Sequence, residues 1–420
     1  MLGFCLLGAA CTGGSSAAVP PSPESPRPVR TGPGSTAAAR KALCDVPDQT
    51  VPSGRPAEGT PPVIADVEAE VEQVRGLDYT SEVPVEPLTS SEMGRQVGRA
   101  FDSTFPTDQY ERRSRAWSAL GVIPAGSSLH DELQSFQTGQ VVGFYVPESG
   151  RLVFIGGDTL SPLSHVVLAH ELTHAVDDQH FNLDRIDSLV VSCADEQQAA
   201  AIGAVEGSAQ FYSFQVAREF LSSDELLQVA QEAGASPIPD VPPFIERTQF
   251  WPYEAGRSFI SALDASGGTD AVNAALRDFP VSTEQVMHPE RYPNDMPTPV
   301  DVPDLGPELG EGWSDLDVSD VGEEFLNIML GLRLDSSRAD DAAAGWDGGI
   351  YRAWSNGNRV AVVMSTVWDT AADAREFAGA IADWIDAGGQ TAEVQPVEGS
   401  SVQVVFASDA GTLSALQSAA

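Results

Sequence analysis

The chain has 420 residues, 42% of them apolar, more than one compact core needs and enough for two domains beside a flexible tail. Its 61 Asp and Glu outweigh 23 Lys and Arg to give a formal net charge of −38, which repels phosphate backbones and anionic membrane surfaces. Nucleic acid is thereby excluded as an expected partner, and the acidity reads first as a solvated surface.

At the amino terminus, MLGFCLLGAACTGG holds an apolar run over residues 2–10, too short to span a bilayer as a helix. Gly8, Ala9 and Ala10 precede Cys11, and the stretch resembles the end of a bacterial lipoprotein signal, although Leu7 sits one place early and no Lys or Arg precedes the run. The resemblance implies residues 1–11 as a signal, with Cys11 lipidated and the membrane touched only through that lipid. An ordinary cleaved signal is the alternative. Residues 12–62 are rich in Ser, Pro, Gly and Ala and read as a disordered tether. Of the other cysteines, Cys44 and Cys193 lie outside the signal and form either one disulfide or two buried thiols.

The folded part is expected from residue 63. IADVEAEVEQVRGL, LTSSEMGRQVGRAFDSTF and DQYERRSRAWSALGVI carry apolar residues at helical spacing. The period then changes, and GQVVGFYVPESGRLVFIGG reads as two strands, 141–146 and 152–155, around a turn at 147–150. The edge of such a hairpin can pair with an extended peptide.

Ser161 and Pro162 supply a helix start for LSHVVLAHELTHAVDD. Residues four apart share one helical face, so His170 and His174 can present imidazole nitrogens to one ion with Glu171 beside them. This His-Glu-x-x-His spacing supplies two zinc ligands and a glutamate able to take a proton from water. A catalytic zinc wants a third protein ligand. His180 stands at metzincin spacing, with Met287 as a conceivable Met-turn, but Asp177 occupies the place of the glycine at which that motif bends. If the helix continues through Asp177, His180 points away from the ion. The competitor is Glu206, on a second helical stretch among Ala199, Ile202, Gly203, Ala209 and Gln210, where small residues permit close helix approach.

GAVEGSAQ at 203–210 and VLAHELTHAVDDQHF resemble the gluzincins, the thermolysin-like zinc peptidases, and a group of largely uncharacterised bacterial and archaeal surface proteins. FWPYEAGRSFISAL and VSTEQVMHPERY look like further blocks of that group, extending the resemblance over roughly residues 70–300. The resemblance implies zinc on His170, His174 and Glu206, Glu171 as general base, and a peptide or protein substrate. Gln210 stands where that class often has an aspartate orienting a histidine, and Asp178 is a possible substitute. His288, Tyr253 and Tyr292 are the candidate oxyanion donors by chemistry, with His288 favoured.

Beyond Pro297 the chain is acidic and Pro/Gly-rich to about Asp317, and VGEEFLNIMLGLRL reads as a closing helix. Two strands around an Asn-Gly turn, a helix, two strands and a terminal helix follow. Trp346, Trp354 and Trp368 are expected in its core rather than on a binding surface. The expectation is thus an α+β protein, with a mainly helical zinc peptidase domain over 63–335 that includes a small hairpin, and a ββαββα domain over 344–420. A non-enzymatic cell-surface binding protein on the same scaffold is the alternative outside the peptidase class.

Overall fold

The computed structural model describes residues 34–44, 61–89, 91–95, 107–140, 143–155, 160–235 and 239–419. The signal-like segment with Cys11 lies outside them, as does the expected helix beyond residue 95. Part of the stretch read as a disordered tether is corrected: α1 (Thr36–Cys44) is helical. The Thr36 backbone N–H donates to Asp301, and Cys44 is disulfide-bonded to Cys193 with Cα atoms 5.7 Å apart.

The helices α2 (Pro62–Arg75) and α3 (Thr107–Leu120) form where their periodicity places them, and α4 (Leu129–Gln140) follows. The hairpin is β2 (Gly143–Val146) and β3 (Arg151–Phe154), with Gly150 at φ 59° closing the turn. A third strand unread in the sequence, β1 (Val85–Pro87), pairs in parallel with β3, giving the order β1-β3-β2. This leaves β2 on the edge.

Ser161 caps α5 (Pro162–Phe181), its side chain accepting from the Ser164 N–H, and Asn182 in the left-handed region ends it. Helix α6 (Asp195–Phe220) packs across it, followed by α7 (Ser223–Ala235) and the long α8 (Pro243–Arg277), which kinks at Gly268. Helices α6 and α8 meet backbone to backbone. A Cβ on Gly256 would overlap the Gly203 carbonyl, and one on Gly207 would overlap the Gly256 backbone. The short α9 (Thr283–Met287) lies against α6, with Val286 beside Gly203.

The carboxyl-terminal unit is a five-stranded antiparallel sheet of order β4-β5-β6-β8-β7. Its elements in chain order are β4 (Ser314–Asp320), α10 (Glu323–Leu330), α11 (Ser336–Ala343), β5 (Trp346–Asn356), β6 (Arg359–Trp368), α12 (Ala371–Gly388), β7 (Ala392–Val394), β8 (Ser401–Ala407) and α13 (Ala410–Ala419). Both faces are covered. Val360, Val362 and Met364 enter one core with Phe377 and Trp384 of α12, while Ala361 and Val363 enter another with Cys44 of α1 and Leu416 of α13. Two-sided burial explains why VAVVMS reads as a continuous apolar run. Trp346, Trp354 and Trp368 are buried in these cores, as expected. The α+β assignment holds, a mainly helical region joined to a sheet region.

Candidate metal centre

The histidine helix α5 runs straight through Asp177, so His170 and His174 lie one turn apart on the same face. Glu206 reaches them from the middle of α6. Its Oε2 lies 3.1 Å from His170 Nε2 and 3.4 Å from His174 Nε2, and the two nitrogens are 3.1 Å apart. These three atoms form a nearly equilateral triangle of donors, and each of the residues is at most 3% exposed. Among the described residues, this is the one group of histidine, cysteine or carboxylate side chains close enough to share an ion.

Electrostatics favour the ligand state of His170 and Glu206. Burial lowers the His170 pKa, holding the ring neutral against the opposing pull of Glu206. Burial would raise Glu206, but the two histidines outweigh it and hold the carboxyl down to about 2. A neutral imidazole beside an anionic carboxylate is the state in which such side chains bind a cation. Both histidine Nδ1 atoms are buried without hydrogen-bond partners. Gln210 interacts with His170, yet its Oε1 also lacks a partner in hydrogen-bond geometry. Asp178 does not take up a histidine. Its carboxylate accepts from the Tyr145 hydroxyl and the Leu183 N–H, each bond shorter than 3 Å.

Glu171 stands beside the triangle but outside it. Its Oε2 accepts the Tyr145 backbone N–H at 2.8 Å, and its Oε1 is buried and unpartnered. Burial, reinforced by the Glu206 charge, pushes its pKa well above the usual range. Tyr145 therefore ties β2 to α5 twice, by backbone to Glu171 and by hydroxyl to Asp178. Sequence reading missed this role, because a tyrosine in a strand gives no sign of which helix its N–H will meet.

The metzincin alternative is corrected. Because α5 does not bend at Asp177, His180 lies on the surface with its Nε2 on the Asp78 carbonyl oxygen, 2.8 Å away. Tyr253 is buried with its ring stacked on His170, centroids 6.0 Å apart. His288 and Tyr292 are engaged elsewhere, the Tyr292 hydroxyl donating to the Asp278 carbonyl and His288 Nε2 lying 2.9 Å from Glu323 Oε1. Hydrogen bonding to Glu323 raises the His288 pKa despite partial burial.

Around His288 a buried acidic group surrounds the α9 to α10 junction. Burial raises Glu196 to about 8, and burial together with Glu196 raises Glu324 to about 8. From about pH 4.5 to 8 the folded chain therefore keeps protons that the unfolded chain releases, and stability falls as pH rises through that window. Glu324→Gln removes one such group. Thermal unfolding is expected to show the variant gaining on wild type between pH 5 and pH 8, and parallel melting curves at both pH values would contradict this origin.

Residues 313–417, from β4 into α13, match a family described as a domain of unknown function (DUF8575). No curated protein matches the chain. Among solved structures the chain is similar to one described as "a putative hydrolase with a novel fold from Chloroflexus aurantiacus", at 15% identity and a TM-score of 0.37, over 61% of this chain and 95% of that one.

Proposed function

We propose that the protein is a zinc-dependent peptidase of gluzincin type, with His170, His174 and Glu206 as metal ligands and Glu171 as general base. One observation carries this reading. A tetrahedral zinc with bonds of about 2.0–2.1 Å to nitrogen and oxygen separates its ligand atoms by roughly 3.3 Å, and the triangle has sides of 3.1, 3.1 and 3.4 Å. Three donors leave a fourth position for water, as a catalytic rather than structural site requires.

Zinc bound there would polarise a peptide carbonyl and acidify a water. The chain's own residues do the rest. Glu171 lies beside the triangle and takes the proton, its carboxylate held in place by the Tyr145 N–H. Burial is the main cause of its raised pKa and the Glu206 charge the second, and a cation bound at the triangle would oppose both. In the β2–β3 register, Tyr145 and Gly143 direct their backbone groups away from β3, the Tyr145 N–H onto Glu171. An extended peptide pairing with the Gly143 backbone groups would lie beside Glu171. Tyr253, stacked on His170, is the proposed oxyanion donor, and His288, whose pKa Glu323 raises, would serve only on leaving that carboxylate.

The disulfide supports an exported protein, since such bonds persist in oxidising compartments. A lipid on Cys11 would then anchor it to a membrane surface. Among the described residues no helix is long and apolar enough to cross a membrane. The net charge of −38 argues against nucleic acid as a partner.

Elemental analysis of purified protein tests the site. Wild type and His180→Ala are expected to hold about one zinc per chain, and Glu206→Ala to lose it with its helical content intact by circular dichroism. Metal-free wild type, or Glu206→Ala that keeps its zinc, would overturn the assignment.

A further inference from the structure

We propose that Asp177 is a positioning residue for the metal centre, setting the register of the histidine helix against the glutamate helix through Ser208 and Arg75. This rests on the metal reading of the triangle.

Asp177 lies one turn beyond His174 on α5, and Ser208 lies two residues beyond Glu206 on α6. The Asp177 carboxylate joins the two helices. Its Oδ2 accepts the Ser208 hydroxyl at 2.7 Å, and its Oδ1 accepts Arg75 Nε at 2.8 Å. Arg75 extends the connection. From the end of α2 it donates through Nη2 to Asn273 of α8 at 2.7 Å, and its guanidinium lies over the Tyr212 ring, 4.6 Å from the centroid. Arg75, Asp177 and Ser208 are each no more than 1% exposed. One buried carboxylate thus connects both ligand-bearing helices and, through Arg75, the helices on either side of them.

Stability alone does not account for such a pair. Removing two charges from water costs several kcal/mol per ion, and apolar residues of similar volume often serve the fold equally well. Directional bonds do supply register. Near the ligands, α5 buries Ala169 and Ala175 and α6 buries Ala204 and Ala209, small side chains that let a neighbouring helix approach closely. A metal centre tolerates displacement of only about 0.5 Å. A carboxylate held at both oxygens fixes the two helices at one point beside their ligands. It also explains why aspartate occupies position 177, where a bend would have required glycine.

Cobalt(II) titration of the full chain, followed by visible absorption, tests the proposal alongside thermal unfolding. The double variant Arg75→Met/Asp177→Leu replaces the ion pair with apolar volume, and Ser208→Ala severs only the bond between the two helices. Both are expected to bind cobalt more weakly, the double variant by about tenfold or more, the scale of outer-shell losses at metal sites. Their absorption bands should shift while melting temperatures stay near wild type. Leu263→Ala, a core truncation on α8, should lower the melting temperature and leave the cobalt spectrum unchanged. If the double variant does not fold, Ser208→Ala decides the matter by itself. Wild-type affinity and spectrum in Ser208→Ala would overturn the positioning role. Equal cobalt binding by wild type and Glu206→Gln, or none by wild type, would instead remove the metal reading and the proposal with it.

Discussion

Glu171→Gln is expected to lower kcat for peptide hydrolysis by about 10²–10⁴ while leaving metal content at the wild-type level, since loss of a general base has that range of effect. The variant is close to isosteric. Its amide oxygen can still accept the Tyr145 N–H that now meets Oε2, so the side chain keeps its place and loses only its ability to take a proton. Glu171 is outside the donor triangle, so no ligand is lost. The comparison therefore separates chemistry from metal binding. It is made on a peptide library with equal zinc loading, and the enzyme reading is sunk by equal hydrolysis from the two proteins or by none from either.

Gly256→Ala is expected to destabilise the chain by about 3 kcal/mol or more, at the upper end of overpacking effects, and to reduce zinc content as well. The added methyl meets backbone, the Gly203 carbonyl of α6, which cannot rotate aside as a side chain would. Helix α6 must then move away from α8. Glu206 is three residues from Gly203 and one from Gly207, so any such shift displaces the carboxylate from the two imidazoles. Differential scanning calorimetry and metal analysis read the two effects, with a fall in melting temperature of roughly 5 °C or more. An unchanged melting temperature together with full zinc would show that the two helices accommodate the methyl.

The histidine helix was legible because its signals are local. Ser161 and Pro162 mark its start, the four-residue spacing puts both imidazoles on one face, and Asp177 in place of glycine favours a helix that continues, as it does. Glu206 could be found because small neighbours announce a close crossing. Gly256, the other half of that crossing, was not legible, since a glycine inside a helix does not show what approaches it. Strand β4 escaped for a related reason. SDLDVSD looks like an acidic loop, yet Asp317 and Ser319 are buried because Arg113 of α3 pairs with Asp317 and, beside it, with Asp195, which also accepts the Ser319 hydroxyl. Arg113 lies 204 residues before its partner in β4, and no local pattern reports a contact at that separation. Arg75 was hidden likewise. A basic residue in the last turn of a helix is commonplace, and nothing near it in sequence names Asp177 as its partner.

The bond between Cys44 and Cys193 also determines how the molecule carries mechanical load. Tension applied from the amino-terminal side enters at Cys44 and crosses the sulfurs to Cys193, two residues before the glutamate helix begins. The intervening chain, which includes the whole histidine helix, hangs as a closed loop off the line of force. A protease that nicks this loop once would leave the two pieces covalently joined, and a shear that has peeled α1 from the amino-terminal end must break a covalent bond before it reaches α2.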